Sequence, residues 1–131
     1  MITNKPLIYL ASPYRADNPD IRKLRFKMVS KAAGQLVAAG NLVYSPITHS
    51  APMAHEARLD IGYEQWKELD EFYLSRCDIV IVLQLPGWEI SSGIADEIAF
   101  ADDLGKPVMY LPTVIDVTVI RSTDNVSSSS D

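Results

Sequence analysis

From Ile79 to Leu83 five apolar residues follow one another with no polar alternation, inside a segment, Asp78 to Leu85 (DIVIVLQL), of ordinary strand length. A strand with that pattern is buried on both faces, as strands are when helices cover both sides of a parallel sheet. This segment is therefore the expected centre of the sheet. Leu7-Ile8-Tyr9-Leu10-Ala11 is a second such run and ends at Ser12-Pro13. Between and beyond the two runs the apolar period changes to that of a helix. Asn18-Pro19 supplies a cap followed by proline at the first helical position, and Ile21, Leu24, Met28, Ala32 and Leu36 recur at helical spacing up to about Ala39, where Gly40 stops the helix.

Asn41 to Ser45 (NLVYS) reads as another strand, and Leu59 to Arg76 as another helix. The stretch from Pro46 to Arg58 has two prolines, two histidines and no clear period, so it is given no element. After Pro86-Gly87 and Ser91-Ser92-Gly93 a helix runs to about Leu104, with Gly105 past its end, and Pro107 to Leu111 is a last strand. The alternation predicts an α/β fold: a three-layer, flavodoxin- or Rossmann-like parallel sheet of four to five strands with helices on both faces. Ligands of such sheets bind beyond the carboxyl ends of the strands. The 131 residues fit one domain, expected over residues 1–120. Val114 to Ile120 is an apolar segment suited to an edge strand or to packing on another subunit, and 121–131 is expected to be a mobile polar tail.

Twelve basic against seventeen acidic residues give a net charge of −5, which disfavours a nucleic-acid polymer as partner. No apolar run approaches the roughly 18 residues of a membrane span, and the apolar stretch near the N-terminus is too short for a signal peptide, so no membrane partner and a cytoplasmic location are expected. The single cysteine, Cys77, cannot form an internal disulfide. The first strand-to-helix turn, ASPYRADNPD, is not G-x-G-x-x-G, and no P-loop occurs. Ser92-Gly93 lacks the preceding glycine of a serine-hydrolase elbow, because Ile90 stands there. His49, His55 and Glu56 match no zinc spacing and read as polar loop residues, so no metal is expected.

Two acids interrupt apolar stripes. Tyr63, Trp66, Asp70, Tyr73, Leu74 and Cys77 share one helical face, with Asp70 in its middle. A carboxylate there must be hydrogen-bonded, paired or facing a cleft, so Asp70 is either a structural partner or a catalytic group. Glu97 likewise shares a face with Ile94, Ile98, Ala101 and Leu104. If the helix caps near Gly93, Asp96 takes the capping position and the helix start favours an ionised Glu97, a potential nucleophile or else a surface partner of the helix dipole. Ser12, Tyr14 and Arg15 after the first strand, His49 after the second, and Trp88, Ser91 and Gly93 after the central strand complete a candidate binding site. Rings with an arginine suit a flat heteroaromatic ligand with polar edges or a phosphate, which Arg15 and the amides at the start of the first helix would meet. The basic run Arg22, Lys23, Arg25, Lys27, Lys31 reads as a solvated helix face, with only its first residues near a phosphate.

YLASPY in the first strand, Asp70-x-x-x-Leu74-x-x-Cys77-Asp78 before the central strand, and Pro86-Gly87-Trp88-x-x-Ser91-x-Gly93-x-x-x-Glu97 after it resemble the nucleoside 2-deoxyribosyltransferase superfamily. The likeness runs from about Ile8 to Leu111 and is nearest to a small branch close to nucleotide N-glycosidase-like members. It implies that Glu97 attacks the anomeric carbon and that Asp70 orients or protonates the ligand. It also implies that Ser91 contacts a sugar hydroxyl or phosphate, that no cofactor is needed, and that the chain forms a homo-oligomer, dimer or tetramer. The chain departs from the pattern in its shorter length and in Ala95-Asp96 where relatives carry a second glycine. The function expected is cleavage of the N-glycosidic bond of a deoxynucleoside or its 5′-monophosphate, by hydrolysis or base transfer. The alternative is a non-catalytic nucleotide-binding or sensing module on the same fold.

Overall fold

A computed structural model describes residues 2–113. The elements run β1 (Leu7–Ala11), α1 (Pro19–Ala38), β2 (Leu42–Tyr44), α2 (Pro46–Glu56), α3 (Tyr63–Arg76), β3 (Ile79–Gln84), a 3-10 turn (Trp88–Ile90), α4 (Ser92–Asp103) and β4 (Val108–Pro112). All pairings are parallel and the sheet order is β2-β1-β3-β4. The α/β parallel sheet read from the sequence is thus the fold, with four strands among the described residues. The 114–120 segment and the 121–131 tail lie outside those residues, and so does the end of the expected 1–120 domain. No helix among the described residues is long and apolar enough to cross a membrane.

Strand residues alternate between two helical layers, because successive side chains point to opposite faces. Tyr9, Ala11, Val80 and Val82 pack with Leu74 and Cys77 around α3 and with Ile94 and Ala101 of α4. Leu10 and Leu83 pack with Val29 and Ala32 of α1 on the opposite face. Ile21 and Leu24 begin the apolar stripe of α1 yet stay exposed. The chain leaves β1 toward β2 and returns past β1 to β3, so a topological switch point lies between β1 and β3, where ligands of open α/β sheets bind.

Three boundaries differ from the sequence reading. The unassigned stretch after Ser45 is helix α2, capped when Ser45 Oγ accepts from the Thr48 amide at 3.2 Å. Pro46 occupies its first turn and Pro52 sits inside it. It ends with Arg58 at φ +51 and the Leu59 amide donating back to the Ala54 carbonyl at 2.9 Å, so residues 59–62 form a loop and α3 starts later than Leu59. At α4 the cap is Ser91, whose Oγ accepts from the Ile94 amide at 3.2 Å. Asp96 therefore lies beyond the capping turn and its carboxylate instead accepts from the Tyr63 hydroxyl.

Candidate active site

The cleft beyond the carboxyl ends of β1 and β3 encloses about 920 Å³. The loop after β1 brings Ser12, Tyr14 and Arg15 to it, α3 brings Trp66 and Asp70, and the segment after β3 brings Gly87, Ile90, Ser91, Gly93 and Glu97. Asp70 and Glu97 thus open on one cleft, from adjacent helices that pack on the same face of the sheet.

Burial dominates the chemistry of both acids. Withdrawal from solvent pushes Asp70 up to about 6. Glu97 is pushed up to about 8, first by burial; the Tyr9 hydrogen bond pulls it back, and the charges of Asp70 and Asp96 push it further up. The expectation that the helix start holds Glu97 ionised is corrected here. With Ser91 as cap, Glu97 is the sixth residue of α4, past the first turn where the dipole acts.

Tyr9 is the residue that sequence reasoning missed. Its hydroxyl donates to Glu97 Oε2 at 2.6 Å, and its side chain is fully buried in β1. Burial and then the Glu97 charge hold the Tyr9 hydroxyl well above the usual tyrosine range, so it remains a donor. The available signal was a tyrosine within an otherwise aliphatic strand, since a buried phenol needs a hydrogen-bond partner.

His49 and Trp88, expected to line the cleft, do not. The His49 ring packs 5.5 Å from Tyr44 and 5.3 Å from Tyr73, while Ile47, Ser50, Ala51 and Ala54 of the same helix line the cleft. Trp88 lies 5.6 Å from the Tyr110 ring and packs against the core. Arg22 and Arg25 of α1 reach the cleft, but the first amides of that helix are already held: the Asp20 amide donates to Asn18 Oδ1 at 2.8 Å and the Ile21 amide to the Asn18 carbonyl at 3.1 Å. Ser91 faces the cleft while its oxygen caps α4, which leaves its hydrogen free to be donated. Ser12 is 7% exposed and its Oγ has no hydrogen-bond partner among the described residues. The Arg15 guanidinium lies over the Tyr63 ring, 5.9 Å from its centroid.

Such a site has two carboxyl groups that titrate near neutrality, one of them fixed by a buried phenol, and a guanidinium at its mouth. That combination suits displacement at a carbon flanked by a leaving group that needs a proton.

A family model described as a domain of unknown function, DUF1937, matches residues 6–112. Among solved structures, the chain is similar to a 2-deoxyribosyltransferase from the psychrotolerant bacterium Bacillus psychrosaccharolyticus, with 27% identity and a TM-score of 0.58 over 88% of this chain and 81% of that one. A 2-deoxyribosyltransferase from Leishmania mexicana is 18% identical with a TM-score of 0.56, over 82% of this chain and 65% of that one, a likeness of fold alone. No curated protein matches the chain. With the parallel sheet, the switch-point cleft and these likenesses together, the chain belongs to the DUF1937 family and carries a nucleoside 2-deoxyribosyltransferase-like fold.

Proposed function

We propose that this protein cleaves the N-glycosidic bond of a deoxynucleoside or its 5′-monophosphate, with Glu97 as nucleophile and Asp70 as the acid on the base side. The observation that carries the reading is the Tyr9 hydrogen bond to Glu97 Oε2, which holds one carboxyl oxygen and aims the group from a fully buried strand residue. The likeness to the 2-deoxyribosyltransferase from Bacillus psychrosaccharolyticus supports base transfer as the general class.

In the first step a Glu97 oxygen bonds to C1′. The bond from C1′ to the base nitrogen breaks, its electron pair leaves with the base, and the proton of Asp70 neutralises it. In the second step water, or the nitrogen of an acceptor base, attacks C1′; Asp70 takes the released proton and the bond to Glu97 breaks. Dividing the displacement in two replaces attack by unassisted water with attack by a positioned carboxylate, whose charge also stabilises an oxocarbenium-like transition state. The competent form carries one proton on the acid pair. With the two groups at about 6 and about 8, the pair holds one proton between those values, mostly on Glu97, so the competent form, with that proton on Asp70, is the minor arrangement of a singly protonated pair whose limbs belong to both groups.

Arg15 at the mouth and the unpartnered Ser12 hydroxyl support a phosphate on the sugar's 5′ side. The test is a screen of deoxynucleosides and their 5′-monophosphates for released base, run with and without an acceptor base. Free base that appears without an acceptor identifies hydrolysis, and a new nucleoside identifies transfer. Thermal stabilisation by these compounds with no product overturns the proposal in favour of a binding module.

A further inference from the structure

The loop after β1 and the turn after β3 carry ligand-facing residues on opposite sides of the switch point. Among the described residues no main-chain hydrogen bond joins them directly. Arg25, in the second turn of α1, bridges them. Its Nη1 donates to the Arg15 carbonyl at 3.0 Å and its Nη2 to the Pro86 carbonyl at 3.2 Å. Gly87 leaves the space for this: a Cβ there would lie 2.7 Å from Arg25 Nη2, and its φ of +94 is itself a glycine conformation. One turn earlier on α1, Arg22 Nη1 donates to the carbonyls of Ala16 and Asp17, fastening the same loop. The expected solvated face is therefore limited to the exposed Lys23, Lys27 and Lys31.

We infer that Arg25 is a positioning residue that sets the width of the cleft by clamping the Ser12–Asp17 loop to the Pro86–Ser91 turn, with Gly87 as the recess that admits its guanidinium. The clamp needs a planar fork. Two carbonyls from two loops are met by two N–H groups held at a fixed angle, whereas an ammonium on a flexible stem makes a single compact contact. Bonds from a charged donor are also the stronger kind, which suits two loops that no other hydrogen bond joins directly among the described residues. In this loop the carbonyls point toward α1. Glycine-rich phosphate turns present amides to the ligand, so here side chains carried on a clamped loop face the cleft instead.

The test is amide hydrogen exchange on the full chain without ligand. Arg25→Ala is expected to speed exchange of residues 14–17 and 87–91 together, by about tenfold, the loss equivalent to one hydrogen bond. Millimolar methylguanidinium should restore both segments. Arg25→Lys covers the case of an alanine variant that fails to fold: it should loosen at least one loop and not respond to methylguanidinium, and exposed Lys23→Ala should change neither. The inference is overturned if only one loop loosens in Arg25→Ala, if neither does, or if methylguanidinium restores nothing. A kinetic arm rests on the proposed N-glycosidase activity, where Arg25→Ala should raise KM about tenfold with little change in kcat. Absence of turnover in the unmodified protein counts against that activity alone, because the exchange measurement involves no substrate.

Discussion

On the α1 side of the cleft, Arg22 and Arg25 aim their guanidinium groups at carbonyls of their own chain. On the α3–α4 side, Asp70 and Glu97 face the cavity with raised pKa values, and no neighbouring cation offsets the cost among the described residues. On the first wall each guanidinium is already hydrogen-bonded. On the second, burial biases both acids toward their protonated forms, a bias that a substrate's developing positive charge would relieve in the proposed reaction. The contrast teaches that counting charges around a cleft says little about its chemistry. What matters is whether each charge is already matched.

The largest effect should come from the unmatched wall. Glu97→Gln keeps the volume and removes the charge that attacks C1′ in the proposed mechanism, so turnover should fall by at least roughly 10²-fold while ligand binding survives, measured by kinetics and calorimetry. Equal losses of binding and turnover would make Glu97 a structural residue. Tyr9→Phe is expected to be milder. Losing a donor to the carboxylate raises the Glu97 pKa, so the alkaline limb of the kcat/KM profile, near 8 in the unmodified protein, should move upward as the maximum drops about tenfold. An unmoved limb would detach Tyr9 from the chemistry.

Arg15 tests the point where the walls meet. Its guanidinium is exposed at the mouth, so Arg15→Ala should reduce the preference for monophosphate over nucleoside by only about fivefold, read from KM ratios. The last effect concerns stability rather than turnover. Glu97 has a folded pKa of about 8 against an ordinary 4.5, so the folded protein binds the extra proton between those values. The stability this proton confers is complete below about 4.5 and is lost as pH rises through about 8. Glu97→Gln should therefore gain in Tm over the unmodified protein as pH goes from 5 to 8, by about 3 °C for each kcal/mol relieved. A constant gap would mean that the carboxyl is better solvated than its burial implies.

The sheet was legible in the sequence because it depends on local patterns. Uninterrupted apolar runs at β1 and β3 identify strands covered on both sides, and the cap-proline pair Asn18-Pro19 marks the start of α1. The same signature, Ser45-Pro46, stands at the start of α2, but Pro52 and a weak period obscured the helix behind it. Asp70 and Glu97 were legible for a different reason, as acids on apolar stripes. Their surroundings were not. The partner of Glu97 is 88 residues away in β1, and whether His49 or Trp88 faces a ligand or a neighbouring ring depends on which strands lie side by side. Those are tertiary facts, and residue type near a loop is no substitute for them. The arginines show the same limit, since helical spacing reveals that Arg22 and Arg25 share a side but not that carbonyls await them.

The parallel pairing of β1 with β3 has a consequence for how the protein is made. β1 emerges before β3 in synthesis, and the Asp78 carboxylate that accepts from its Leu7 amide comes 71 residues later and Glu97 later still. Until then the nascent chain holds a doubly apolar strand whose only available partner is the three-residue β2. Pairings this distant in sequence are slow to close and leave strand edges open meanwhile. The cleft's two sides thus meet only after β3 and α4 have been added. A chain shortened before Glu97 would hold a sticky unpaired strand and lack the proposed nucleophile, so the appearance of the proposed activity during synthesis would report the completion of the sheet.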